Sequence, residues 1–183
     1  MKVTGAVLCG GASSRMGRDK ATLDLRGRPM IQWVVDAMKE AGAKTVIALG
    51  DRPDLQLSVL ADRKPDGGPL GAIIGALERY GTLLVCPCDV PMVSSQLLRK
   101  IISTARAAEE PVVLAHSERL EPLIGLYKEE SLELLKLGYS KGARGPKMVL
   151  NAEDYCTVNV SPEYVQNVNT PEDFQALLSK FEL

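Results

Sequence analysis

Apolar residues along this chain fall into short runs and helical stripes that alternate with each other. The run over 3–8 stops at Gly10-Gly11 and reads as a buried parallel strand. A polar loop over 12–20 follows. Pro29 then opens a helix running to Ala41, with Ile31, Val34, Val35 and Met38 at helical spacing and Gly42 just past its end. Residues 46–49 read as a second strand and 59–61 as a short third one. Asp66-Gly67-Gly68-Pro69 is a turn. Behind it Leu70, Ile73, Ile74 and Leu77 form a helical stripe ending near Tyr80-Gly81. The most strand-like segment in the middle of the chain is 82–86, and it runs straight into Pro87-Cys88-Asp89. Ser94 suits an N-cap for a helix reaching about Ala108. Residues 112–115 and 123–127 read as two more strands.

The stretch 138–147 is rich in glycine and carries Lys141, Arg144 and Lys147, so it reads as a mobile basic loop. After a strand-like stretch over 155–160 comes Asn167-Val168-Asn169. Thr170-Pro171-Glu172-Asp173 then supplies a cap, a proline at the first helical position and an acid near it, which predicts a helix to Phe181. Strands alternating with helices predict an α/β layered fold with a mostly parallel sheet and right-handed crossovers. Ligands of such sheets sit at the carboxyl ends of the strands. Gly10-Gly11 and Asp89 both fall at such ends.

Composition narrows the function classes. The 183 residues fit one domain over 1–183, and 45% hydrophobic residues are enough for a core. A net charge of −1 argues against a nucleic-acid or membrane-surface partner. No apolar stretch is long enough to span a bilayer. Cys9, Cys86, Cys88 and Cys156 show no zinc-finger spacing and follow no signal-peptide pattern, so they read as reduced thiols of a cytoplasmic protein. One histidine, His116, is too few for a histidine metal site or a Ser-His-Asp triad.

The loop from Leu8 to Lys20 is neither a P-loop nor a dinucleotide fingerprint, because its glycine spacing fits neither. It still has the parts of a phosphate site. Glycines let backbone N–H groups approach anionic oxygens, Ser13 and Ser14 add hydroxyls, and Arg15 and Lys20 add positive charge. The competing reading is an ordinary turn with a solvated basic rim. Asp89, in Val85-Cys86-Pro87-Cys88-Asp89-Val90-Pro91, follows a buried strand and stands between two prolines that set its backbone. A carboxylate there suits Mg²⁺, leaving other positions of the ion for water and phosphate; the alternative is a helix or turn cap. Asp66 is either a nucleotide contact or only the aspartate of an Asp-Gly turn.

The segment Leu8-Cys9-Gly10-Gly11 followed by Arg15-Met16-Gly17 and Asp19-Lys20 resembles the signature of the molybdenum cofactor guanylyltransferase family. Pro87-Cys88-Asp89-Val90-Pro91 and Asn167-Val168-Asn169-Thr170-Pro171 resemble two further motifs in the expected order. The resemblance runs from Val3 to Phe181. It implies a three-layer Rossmann-like nucleotide-diphospho-sugar transferase fold. It implies that Leu8, Cys9 and Gly10 hold the guanine and ribose end through backbone contacts, that Lys20 contacts the phosphates, and that Asp66 contacts the nucleotide; Gly11 and Arg15 join the candidate site on their own chemistry, as backbone and as cation. Asp89 would bind Mg²⁺. Asn169 either helps order the metal or acceptor, or merely precedes a helix. The strand over 121–127 either borders the acceptor pocket or is only sheet core. Where the family has a nucleotide-contacting asparagine after the second strand, this chain has Leu49.

The expected reaction moves GMP from GTP to the phosphate of molybdopterin and releases pyrophosphate, with Arg144 and Lys147 gripping the acceptor phosphate. The resemblance also implies transient contacts with other cofactor-biosynthesis proteins or molybdoenzymes. Alternatives on the same fold are a cytidylyltransferase, a sugar-phosphate nucleotidyltransferase, or a nucleotide-binding module without catalysis.

Overall fold

The structure, a computed structural model, describes residues 1–10, 20–52, 54, 55, 57–61 and 67–180. Gly11, Arg15 and Asp66, together with the serines of the N-terminal loop, lie outside the described residues.

The strands are β1 (Thr4–Leu8), β2 (Thr45–Leu49), β3 (Ser58–Leu60), β4 (Leu83–Pro87), β5 (Val112–His116), β6 (Leu120–Tyr127) and β7 (Tyr155–Asn159). Among the described residues they form one sheet in the order β3-β2-β1-β4-β6-β5-β7. Only β6 runs against its neighbours, β4 and β5; the other pairings are parallel. The mostly parallel sheet expected from the sequence is therefore present.

Helices α1 (Met30–Ala41), α2 (Gly68–Tyr80), α3 (Ser95–Ala107), α4 (Leu132–Ser140) and α5 (Pro171–Lys180) complete the layers. The alternation of side chains along a strand explains why there are three. In β4, Leu84 and Cys86 face one core with Val34, Met38, Leu98 and Ile101 from α1 and α3. Leu83 and Val85 face the other, with Ile73 and Leu77 from α2 and Leu135 from α4. The helix ends match the residues that predict them. Gly42 closes α1 in a left-handed conformation with φ 115°, and the Ser94 side chain accepts from the Leu97 N–H at 3.2 Å.

Two readings of the sequence need correction. The segment 138–147 is not one loop: Gly138 lies within α4, and a 3₁₀ turn occupies Pro146–Met148. Gly138 is helical here because Val149 packs against its backbone; a Cβ would lie 2.3 Å from that side chain. The strand expected over 123–127 begins earlier, at Leu120. Between Leu114↔Gly125 and Ala115↔Glu121 the β5–β6 register shifts, so residues 122–124 bulge away from β5. Pro122 at the bulge donates no hydrogen bond to a ladder.

Candidate active site

The carboxyl ends of β1, β2, β3 and β4 share one edge of the sheet, and the polar residues gather there. Four contacts build the floor. The Cys9 N–H donates to the Leu49 carbonyl at 2.9 Å, and the Cys88 N–H to the Leu8 carbonyl at 3.0 Å. The Gly50 N–H donates to the Leu60 carbonyl at 3.1 Å. Gly50 has φ 122°, and a Cβ there would lie 3.1 Å from the Gly10 nitrogen, so only glycine lets these two loops touch. Leu8 and Cys9 are buried, while Gly10 is exposed. Leu49, at the position where an asparagine was expected from the resemblance, turns its side chain into the core.

Three segments bring their side chains together above this floor. Lys20 opens a 3₁₀ turn (Lys20–Thr22) anchored by the fully buried Ala21. Asp89 follows β4 and is held by the burial of Val90 and Val93. The third segment is Asn167-Val168-Asn169. Val168 is buried with Leu25, Met30 and Leu177, which docks α5 against the start of α1. The Val168 N–H also donates to the Asp89 carbonyl at 2.8 Å.

The result is a compact polar cluster. The Lys20 Nζ lies 3.5 Å from Asp89 Oδ2 and 2.6 Å from Asn169 Oδ1. The Asn167 amide donates to Asp89 Oδ1 at 3.0 Å. Lys20 and Asp89 are 17% and 16% exposed, open enough for a ligand yet partly screened from water. Residues 69 and 149 positions from Lys20 in the chain thus meet at its ammonium. Asn167 was not expected in this role. Its signal is the polar–apolar–polar pattern of 167–169, which in extended backbone puts both amides on one face with Val168 behind them.

Asp173 stiffens the third segment. Its Oδ2 accepts from the backbone N–H groups of Asn169 at 2.8 Å and Thr170 at 2.9 Å, and its own N–H donates to Thr170 Oγ1 at 3.1 Å. These bonds, the Asn169 one first, hold its carboxyl below the usual range, with a smaller contribution from Lys20. Asp173→Ala should lower stability near neutral pH by about 1 kcal/mol, the usual worth of such a cap. A carboxyl whose folded pKa is depressed stabilises above its unfolded value of about 3.9 and loses that contribution as pH falls through the folded value. The gap between wild type and variant should therefore close in acid, as read from denaturant midpoints across pH.

The basic residues Arg144 and Lys147 have different surroundings. Arg144 stacks on Tyr139 at 4.8 Å, donates to the Ala143 carbonyl at 3.0 Å, and its own carbonyl accepts from the Leu70 N–H beside the start of α2. Lys147 instead lines a cleft with Pro87 and Asn167, next to Asp89. Cys86, Cys88 and Cys156 are free thiols, and burial first, then Asp89 and Cys88, push the Cys86 thiol well up, so it stays neutral. No cluster of three or more His, Cys, Asp or Glu residues suited to a metal exists among the described residues. Nor is any helix among them long and apolar enough to cross a membrane.

The chain has counterparts among known proteins. Residues 5–156 match the family model described as the MobA-like NTP transferase domain. The chain is similar to a molybdenum cofactor guanylyltransferase of Xanthomonas euvesicatoria, with 35% identity over 96% of this chain and 94% of that protein. Its fold is similar to the crystal structure of molybdopterin-guanine dinucleotide biosynthesis protein A from Archaeoglobus fulgidus. That match has a TM-score of 0.82 and 21% identity, and covers 98% of each chain. A Mycobacterium tuberculosis protein solved in complex with manganese shares the fold at a TM-score of 0.72 and 19% identity, over 98% of this chain and 99% of that one.

Proposed function

Because this chain belongs to the MobA-like NTP transferase family, we propose that it transfers GMP from GTP to the phosphate of molybdopterin and releases pyrophosphate. It would do so as one nucleotidyltransferase domain over 1–183, in the cytoplasm. The observation that carries this reading is the meeting of Lys20, Asp89 and Asn169 at the carboxyl ends of parallel strands.

In the reaction an oxygen of the acceptor phosphate bonds to the α-phosphorus of GTP. The bond from that phosphorus to the bridging oxygen breaks, and pyrophosphate leaves with the electron pair. Charge builds on the leaving group, so the protein's work is mostly electrostatic. Lys20 presents a partly screened ammonium to the phosphates, and Arg15 adds a second cation. Gly10 and Gly11 offer backbone to the nucleotide, with Leu8 and Cys9 forming the rigid floor, and Asp66 supplies a further nucleotide contact. A phosphate monoester is already largely ionised at pH 7, so its attack needs no general base.

Asp89 and Asn169 suit a divalent ion, with magnesium the expected one. Both present oxygen, the donor preferred by hard cations, and both already flank one cation, the Lys20 ammonium. One carboxylate with few neighbours matches ions that are held partly by substrate phosphate. When bound, such an ion would polarise phosphoryl oxygens as a Lewis acid. Asn167 fixes Asp89 Oδ1 and leaves Oδ2 turned toward the cation.

The test is incubation of the protein with GTP, CTP or UTP, Mg²⁺ and molybdopterin, reading pyrophosphate release. Release with GTP well above the others is the expected result. Preference for CTP would reassign the base, and binding without pyrophosphate would make the chain a nucleotide-binding module.

A further inference from the structure

Two adjoining clefts, of ≈ 510 and ≈ 310 Å³, open beside Asp89 on the β6 side of the sheet. They share Arg119, Glu121 and Asn167, and Asn167 is the residue that holds Asp89. Together they have the size of a small-molecule site. The bulge over 122–124 ends at Glu121, and bulges next to active sites commonly re-aim a side chain.

Glu121 is only 12% exposed. One of its oxygens, Oε1, is fixed by Ser117 Oγ at 3.0 Å and Arg119 Nε at 3.1 Å. Its other oxygen, Oε2, accepts no hydrogen bond among the described residues and is not fully buried, and Glu121 lines both clefts. A carboxylate accepts only, at about four lone-pair sites, and here those of Oε2 are available for N–H donors. The ligand edge that answers this is a 2-amino-4-oxo pyrimidine, with a ring N–H beside an exocyclic amine. Pterins and guanine both carry it.

The sheet order decides between the two. Gly10 belongs to the β1 side of β4, while Glu121 belongs to β6 on its other side. In-line displacement requires the attacking and leaving groups on opposite sides of the phosphorus. With the nucleotide entering over β1, the β6 clefts face the acceptor. We propose that Glu121 is a specificity residue that binds the amino-pyrimidinone edge of the acceptor's pterin, with Lys147 in the same cleft toward its phosphate. This rests on the acceptor reading given above.

The test is fluorescence titration of the full chain with pterin and with lumazine, its analogue with an oxo group in place of the exocyclic amine. The wild-type protein should bind pterin about tenfold or more tightly than lumazine, as expected when a charged acceptor loses a donor. In Glu121→Gln the affinity for pterin should fall about tenfold and the discrimination should vanish, with GTP affinity unchanged. Retained GTP binding shows that the variant is folded. Undiminished discrimination in the variant overturns the proposal, as does a loss of GTP affinity, which would assign the edge to guanine. Failure of the wild type to bind either pteridine while it binds GTP overturns the acceptor reading itself, and this inference with it.

Discussion

Replacement of Asp89 by asparagine should lower turnover about 10³-fold while the protein stays folded. Asparagine keeps the size of the side chain and an oxygen for the Asn167 amide, but removes the charge that faces a cation. Losing an ion that stabilises the transition state by several kcal/mol corresponds to a rate effect of this order. Folding should survive because the local packing rests on other groups. Val90 is fully buried, and the Val168 N–H bonds to the backbone carbonyl of Asp89 rather than to its carboxylate. Turnover, Mn²⁺ binding and the denaturant midpoint should be measured together. An unchanged midpoint with lost metal binding and lost turnover is expected. A collapsed midpoint would make Asp89 a structural residue.

Lys20→Ala should reduce turnover by about 10²-fold or more, the usual effect of removing one preorganised group that stabilises developing charge. A second readout separates this from a structural role. In the absence of GTP the Lys20 ammonium lies against the same two oxygens, of Asp89 and Asn169, that suit a divalent ion. Removing it takes away a competing cation. Mn²⁺ should therefore bind Lys20→Ala at least as tightly as wild type, even as catalysis falls. An unchanged rate would take Lys20 out of the mechanism, and weaker metal binding would show that it organises the site instead.

Most of the fold could be read from hydrophobic spacing because the sheet is buried on both faces. The apolar runs at β1, β2 and β4 and the stripes of α1, α2 and α3 follow directly from the layers they separate. The failures share one cause, which is tertiary packing overriding a local signal. The glycines at 138, 142 and 145 argued for a loop, yet α4 runs through Gly138 because Val149 fills the space beside it. Pro122 hid the first part of β6, which the bulge accommodates.

The site divides in the same way. Lys20 and Asp89 stood out because each follows a strand end within a recognisable motif, and the structure brings them within 3.5 Å. Asn169 joins them, bonded to Lys20. Asn167 was less legible, because its contact with Asp89 depends on α5 folding back over α1 through Leu25 and Leu177. Arg144 and Lys147, read together as a grip on the acceptor phosphate, have different surroundings. Charge alone does not reveal that Arg144 stacks on Tyr139 of α4.

A crystal structure of the full chain with GTP and Mn²⁺, read by the anomalous signal of the metal, most directly tests the idea that one polyphosphate bridges the N-terminal loop and the end of β4. The account predicts a manganese peak at oxygen-ligand distance, roughly 2.0–2.6 Å, from the Asp89 carboxylate, with Lys20 on the phosphates of the same nucleotide. A nucleotide bound elsewhere, or a metal with no contact to Asp89, would contradict it.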